Sequence, residues 1–164
     1  ISPLSVRLRL LEAALAEHPA FRISLVDVNR PGPQYAVDTL RILQAEIPSA
    51  GLYYLMGGDS LHDLPDWYAP AELLRLTAGL GVLRRPNDHV DLPALEDRLP
   101  GISQKIIYIQ APPVHMSSSE LRKKIQAGQP VADALPAAVW KIIQAEKLYL
   151  LKGSSENGTP LHPH

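Results

Sequence analysis

The chain has 164 residues, a length that accommodates one domain and leaves little room for two. With 46% hydrophobic and 20% charged residues it belongs among folded globular chains, and a net charge of −1 gives no overall positive field to hold nucleic acid or a membrane surface. Cysteine is absent, which excludes disulfides and thiolate chemistry and is compatible with a cytoplasmic location, and the longest apolar run, Leu52 to Met56, falls far short of the roughly 20 residues of a spanning helix.

In chain order, Leu4, Leu8, Leu11 and Leu15 recur at helical spacing, and His18-Pro19 ends that helix. Phe21, Ile23 and Leu25 alternate with Arg22 and Ser24, while Val26 and Val28 add apolar groups on the other side, a pattern that predicts a strand. After the Arg30-Pro31-Gly32-Pro33 loop, Gln34 to Ile47 reads as a helix with Leu40, Leu43 and Ile47 inward, stopped by Pro48. Leu52 to Met56 is a short apolar strand running into Gly57-Gly58-Asp59-Ser60, then the Leu64-Pro65-Asp66-Trp67-Tyr68 loop and a helix from about Pro70 to Thr77.

Leu80 to Arg84 is the next predicted strand. Asn87 to Gly101, rich in proline, glycine and acids, reads as a surface connection tolerant of change, with one short helix near Ala94. Lys105 to Ala111 is a strand, Ser118 to Ala127 a helix closed by Gly128, and Pro136 to Glu146 a helix burying Val139, Ile142 and Ile143. Residues 1–151 form the expected domain, and 152–164 a disordered tail. Strands alternating with helices argue for an α/β fold, a parallel sheet with helices on both faces. Ligands of such sheets bind beyond the strands' carboxyl ends, here the loops after Met56, Arg84 and Ala111.

Four groups of residues carry candidate chemistry. Ser117-Ser118-Ser119-Glu120-Leu121-Arg122 opens a helix, where free N–H groups favour an anion. A capping box explains Ser117 and Glu120 but gives no purpose to Ser118, Ser119 or the first-turn cation Arg122, which a phosphate would. Gly57-Gly58 permits close backbone approach and Asp59 can accept from sugar hydroxyls; the plainer alternative is that Asp59 or Ser60 caps a helix. Trp67 is either a core aromatic or a platform for a flat ring, and Arg84-Arg85 either solvated or phosphate-binding. The six histidines form no metal-ligand spacing in the folded part; His115 alone adjoins a candidate site.

Together these segments resemble bacterial nicotinate-nucleotide adenylyltransferases, members of the Rossmann-like nucleotidyltransferase superfamily. The resemblance runs from Ser2 to about Tyr149, through Arg30-Pro31-Gly32-Pro33-Gln34-Tyr35 with Asp38-Thr39-Leu40, Gly57-Gly58-Asp59-Ser60-Leu61 with Leu64-Pro65-Asp66-Trp67, Arg84-Arg85-Pro86, Ser117 to Arg122, and Leu135-Pro136 to Leu148-Tyr149. It implies transfer of AMP from ATP to nicotinate mononucleotide, with Mg²⁺, giving deamido-NAD and pyrophosphate. It further implies that Ser118, Ser119, Arg122 and Arg85 hold ATP phosphates and that Gly57, Gly58 and Asp59 hold the adenosine ribose. Trp67 and Tyr68 then face the pyridine ring, with Tyr35 and the Ala36 backbone around its carboxylate.

This chain departs from the family at Ala36 and Ser119, where threonine is commoner, and at its front, where the family carries a glycine-rich turn with a His-x-Gly-His motif. The opening Ile1-Ser2-Pro3 is not expected to be a translation start, it shows no signal core, and residues 1–164 hold no such motif, so the first strand and helix, and a second strand, are expected to be missing. On that expectation residues 1–164 alone fold poorly and lack significant adenylyltransferase activity. The competing expectations are a sibling adenylyltransferase with another phosphorylated substrate and a non-catalytic nucleotide-binding remnant.

Overall fold

The computed structural model describes residues 2–84, 90–110 and 116–150. In order, the elements are α1 (Leu4–Leu15), α2 (Val26–Asn29), α3 (Ala36–Glu46), β1 (Tyr53–Gly57), α4 (Gly58–Asp63), α5 (Pro70–Leu76), β2 (Gly79–Leu83), α6 (Leu92–Arg98), β3 (Ile106–Ile109), α7 (Ser118–Gln126) and α8 (Ala137–Ala145), with 3-10 turns at Leu64–Asp66 and Ala132–Ala134. They fall into two compact units, Ser24–Val114 and Ile1–Ile23 with His115–His164.

The Ser24–Val114 unit is built on a parallel sheet of order β1-β2-β3. Leu80 stands between Tyr54 and Ile106, and Val82 between Met56 and Tyr108. Period-two alternation sends Met56, Leu80 and Val82 to one face, where they pack with Val37 and Leu40 of α3, Leu61, Leu64, Leu73 and Leu74. Each buried leucine contributes on the order of 2 kcal/mol by leaving water. On the opposite face, a Cβ at Gly79 would meet the Tyr53 ring at 2.9 Å, and one at Gly81 would meet Leu55 and Ile109, so β2 is flat because its neighbours lean over it. Tyr53 and Leu55 remain exposed there.

Helices α3 and α5 are tied by Arg41, which donates to Glu72 and, at 2.5 Å, to Asp38. These carboxylates hold the guanidinium proton more tightly than usual, and the Glu72 carboxyl is lowered in return. The one buried polar side chain among the described residues, Thr77, returns its hydroxyl to the Leu73 and Leu74 carbonyls at 3.1 and 3.2 Å.

The second unit has a small core of Ile125, Val131, Val139 and Ile143, against which Leu10, Ala13 and Ala14 of α1 pack. Arg9 pairs with Glu146 at 2.7 Å between α1 and α8.

Several expectations need correction. Residues 21–25 make no strand, and α2 occupies Val26–Asn29, with Phe21, Leu25 and Val28 exposed. Alternation selects two faces, but a strand also needs a neighbour for its backbone, and among the described residues none pairs with this segment. Within Asn87 to Gly101 the short helix expected near Ala94 is α6, but the stretch is not a surface connection tolerant of change, because Leu95 and Leu99 enter the main core, followed by Ile102. Pro93 and Asp91 mark the helix start, where Asp91 accepts from the Ala94 amide at 3.1 Å, and the leucines carry the burial. In α1 the core face is Leu10-Ala13-Ala14, while Leu4 and Leu11 are exposed. In α3, Val37 is buried and Ile47, beyond the helix end, is exposed; in α8, Ile142 is half-buried. The tail from residue 152 lies outside the described residues.

Candidate functional site

The Ser24–Val114 unit contains an open cavity of about 410 Å³, within the range of small-molecule sites. Gln34, Tyr35 and Ala36 at the entry to α3 form one wall, Asp66, Trp67 and Tyr68 the other, and Tyr54 of β1 lies between. Four residues expected around a pyridine ring, Tyr35, Ala36, Trp67 and Tyr68, are thus brought together.

The first wall is held by Arg30. Its Nη1 donates to Asp38 at 2.7 Å, and its Nη2 to Asp27 at 3.1 Å and to the Tyr35 carbonyl at 3.3 Å. Gln34 closes the intervening turn by donating to the Arg30 and Gly32 carbonyls at 3.0 and 3.1 Å. Gly32 adopts φ +87°, the left-handed conformation that glycine supplies at least cost. Tyr35 is the extended residue preceding α3, so the Ala36 N–H is a first-turn donor with no helical acceptor of its own.

The second wall follows the 3-10 turn. Trp67 is half-buried, packed edge-on against Tyr54 at 5.9 Å and 80° on its core side. It packs against the core with one surface and lines the cavity with another. Burial raises the pKa of Tyr54, keeping the phenol neutral. Tyr68 stacks on Tyr35 with centroids 4.3 Å apart, and Ala69 at φ +50° turns the chain sharply into α5. Asp66 is gripped by Arg98, whose hydrogen bond holds its carboxyl below the usual range.

At the carboxyl end of β1 the chain turns directly into α4 with Gly57 as cap residue, and neither Asp59 nor Ser60 caps by side chain. An Asp59 oxygen lies 2.5 Å from where a Gly57 Cβ would stand, so glycine is what lets this carboxylate fold back over the strand end. Asp59 is exposed. Arg84 follows β2 and lies 5.1 Å from the Tyr108 ring centroid, a cation–π contact that fixes its direction. Arg85 and His115 lie outside the described residues.

In the other unit α7 begins with the capping box: Ser117 Oγ accepts from the Glu120 amide at 3.2 Å, and Glu120 accepts from the Ser117 amide at 2.7 Å. That hydrogen bond lowers the Glu120 carboxyl pKa. The box leaves the first-turn amides of Ser118 and Ser119 unused by its own side chains. Arg122 reaches back to Ser119 Oγ at 3.4 Å, so these two expected phosphate ligands are adjacent, and both are exposed.

Sequence reasoning gave no role to Gln34, Tyr54, Asp66 or Arg98. Tyr54 was hidden in an apolar run, and nothing local connects Arg98 to a residue 32 positions earlier.

The cytidylyltransferase-like family matches residues 1–124. The chain is 40% identical over 149 residues to a probable nicotinate-nucleotide adenylyltransferase of Thermomicrobium roseum, covering 91% of this chain and 69% of that one. With the corresponding protein of Herpetosiphon aurantiacus the identity is 38% over 144 residues, covering 88% and 72%. The chain belongs to the nicotinate-nucleotide adenylyltransferase family. A Plasmodium falciparum nicotinic acid mononucleotide adenylyltransferase complexed with NaAD shares the fold at TM-score 0.66 and 18% identity, covering 91% of this chain and 75% of that one. The same enzyme complexed with APC gives the same score and identity.

For this family member, no cluster of three or more His, Asp or Glu that could hold a metal occurs among the described residues, so those residues do not form a metal cage. No helix among them is long and apolar enough to cross a membrane.

Proposed function

We propose that the chain serves the transfer of AMP from ATP to nicotinate mononucleotide. In that reaction a phosphate oxygen of the mononucleotide attacks the α-phosphorus in line. The new P–O bond forms as the bond to the β-phosphate oxygen breaks, and the electron pair leaves on pyrophosphate, giving deamido-NAD. No covalent intermediate is needed, so the protein's contribution is to position the two nucleotides and stabilise charge on the phosphoryl oxygens. Mg²⁺ enters with ATP as its counter-ion. The cysteine-free composition suits a cytoplasmic location.

The observation that carries this reading is the aromatic-walled cavity in a chain of this family. Trp67 offers an indole surface to the pyridine ring, and Tyr35 with the Ala36 N–H offers an uncharged setting for its carboxylate, since a backbone donor binds an anion without a cation. We assign the adenosine ribose to Asp59 and the Gly57-Gly58 backbone, and phosphates to Ser118, Ser119, Arg122 and Arg85. Equilibrium titration tests the reading: deamido-NAD is expected to bind more tightly than NAD, and equal affinity would count against carboxylate recognition at Tyr35 and Ala36.

A further inference from the structure

Asp66 places a carboxylate at the rim of the cavity, where the ring proposed to enter carries a carboxylate of its own. A bare Asp66 would disfavour an acid relative to the corresponding amide, because only the acid meets a like charge. Asp66 is not bare. Arg98, at the C-terminal end of α6, turns both terminal nitrogens onto it, with Nη2 2.5 Å from Oδ1 and Nη1 3.4 Å from Oδ2. The two side chains are 51% and 70% exposed, so the pair adds little to stability, as exposed pairs generally do. Its consequence lies instead in the charge presented to the cavity.

We propose that Arg98 is a specificity-determining positioning residue: by holding and neutralising Asp66 it keeps the cavity open to an anionic ring, and without it the site shifts from acid toward amide. This rests on the reading of the cavity as the pyridine-nucleotide site. A planar fork suits the task, since it fixes the carboxylate's direction as well as balancing its charge.

The test is calorimetric titration of the full chain with nicotinate mononucleotide and nicotinamide mononucleotide at low salt. Arg98→Ala is expected to weaken the acid by about three- to fivefold and leave the amide unchanged, the scale of one unit charge across a solvated cavity. The difference should fade at high ionic strength. Arg98→Lys should keep most of the selectivity, and Asp66→Asn combined with Arg98→Ala should restore it. Parallel weakening of both ligands, or unchanged selectivity, overturns the proposal while leaving the functional reading intact. If an unaltered chain shown to be folded by circular dichroism binds neither mononucleotide, the functional reading fails, and this proposal fails with it.

Discussion

Replacing Trp67 by alanine tests fold and function at one residue. A fully buried indole removes about 150–250 Å² from water, so a half-buried one accounts for roughly 100 Å², or about 2.5 kcal/mol. The edge-on contact with Tyr54 adds about 1 kcal/mol. The expected loss, about 3.5 kcal/mol as an upper estimate, is a large share of the roughly 5–15 kcal/mol that holds a domain together, yet leaves it folded at room temperature. Loss of a stacking surface costs a further 1–3 kcal/mol, approximately, in binding a flat ring, about 5- to 150-fold in affinity. Trp67→Phe should recover most of both. Urea denaturation reads the first quantity and calorimetry the second, with nicotinate mononucleotide and ATP titrated separately. An unchanged affinity for the mononucleotide in a folded Trp67→Ala protein, or a greater loss for ATP, would refute the stacking assignment.

Leu99→Ala, in the Asn87 to Gly101 segment whose composition suggests tolerance, should lower unfolding stability by about 2–5 kcal/mol because the side chain is only 4% exposed; a urea midpoint like that of the unaltered chain would contradict its place in the core. Glu96 accepts from the Gly101 and Ser103 amides at 2.6 and 2.9 Å, and its interactions with Ser103 are the largest cause of its carboxyl lying below the usual 4.5. A depressed folded-state pKa contributes stability above the unfolded value that is lost as pH falls through the folded one. The melting-temperature gap between the unaltered chain and Glu96→Gln should therefore be widest above about pH 4.5 and close in more acidic solution. A gap independent of pH would refute this account. Gly57→Ala should push the Asp59 carboxylate off the strand end and weaken ATP binding by about tenfold with a small change in melting temperature, which calorimetry and thermal melts would separate.

Most of the fold was legible because local chemistry and tertiary packing agreed. Pro48 ends a helix wherever it falls, Gly57-Gly58 must turn, and Ser117 with Glu120 three residues later forms a capping box from adjacent residues alone. The resemblance likewise pointed to Tyr35, Ala36, Trp67 and Tyr68, which line one cavity. The segment from Phe21 to Val28 went wrong because alternation specifies which way side chains point and says nothing about whether a neighbouring strand accepts the backbone. In α1 two apolar stripes overlap, and only packing against the cluster of Ile125, Val131, Val139 and Ile143 chose Leu10, Ala13 and Ala14 over Leu4 and Leu11.

What the amino-acid sequence determined by itself is therefore the set of short-range features: where helices start and stop, which runs are apolar, and which motifs mark the family. What only the tertiary structure decided is which of those residues meet. Arg30 reaching the Tyr35 carbonyl, Tyr68 stacking on Tyr35, and Arg98 closing on Asp66 join positions 5, 33 and 32 residues apart. The last two separations exceed the reach of any turn or helix period, so they follow from packing of the sheet and its helices rather than from local pattern.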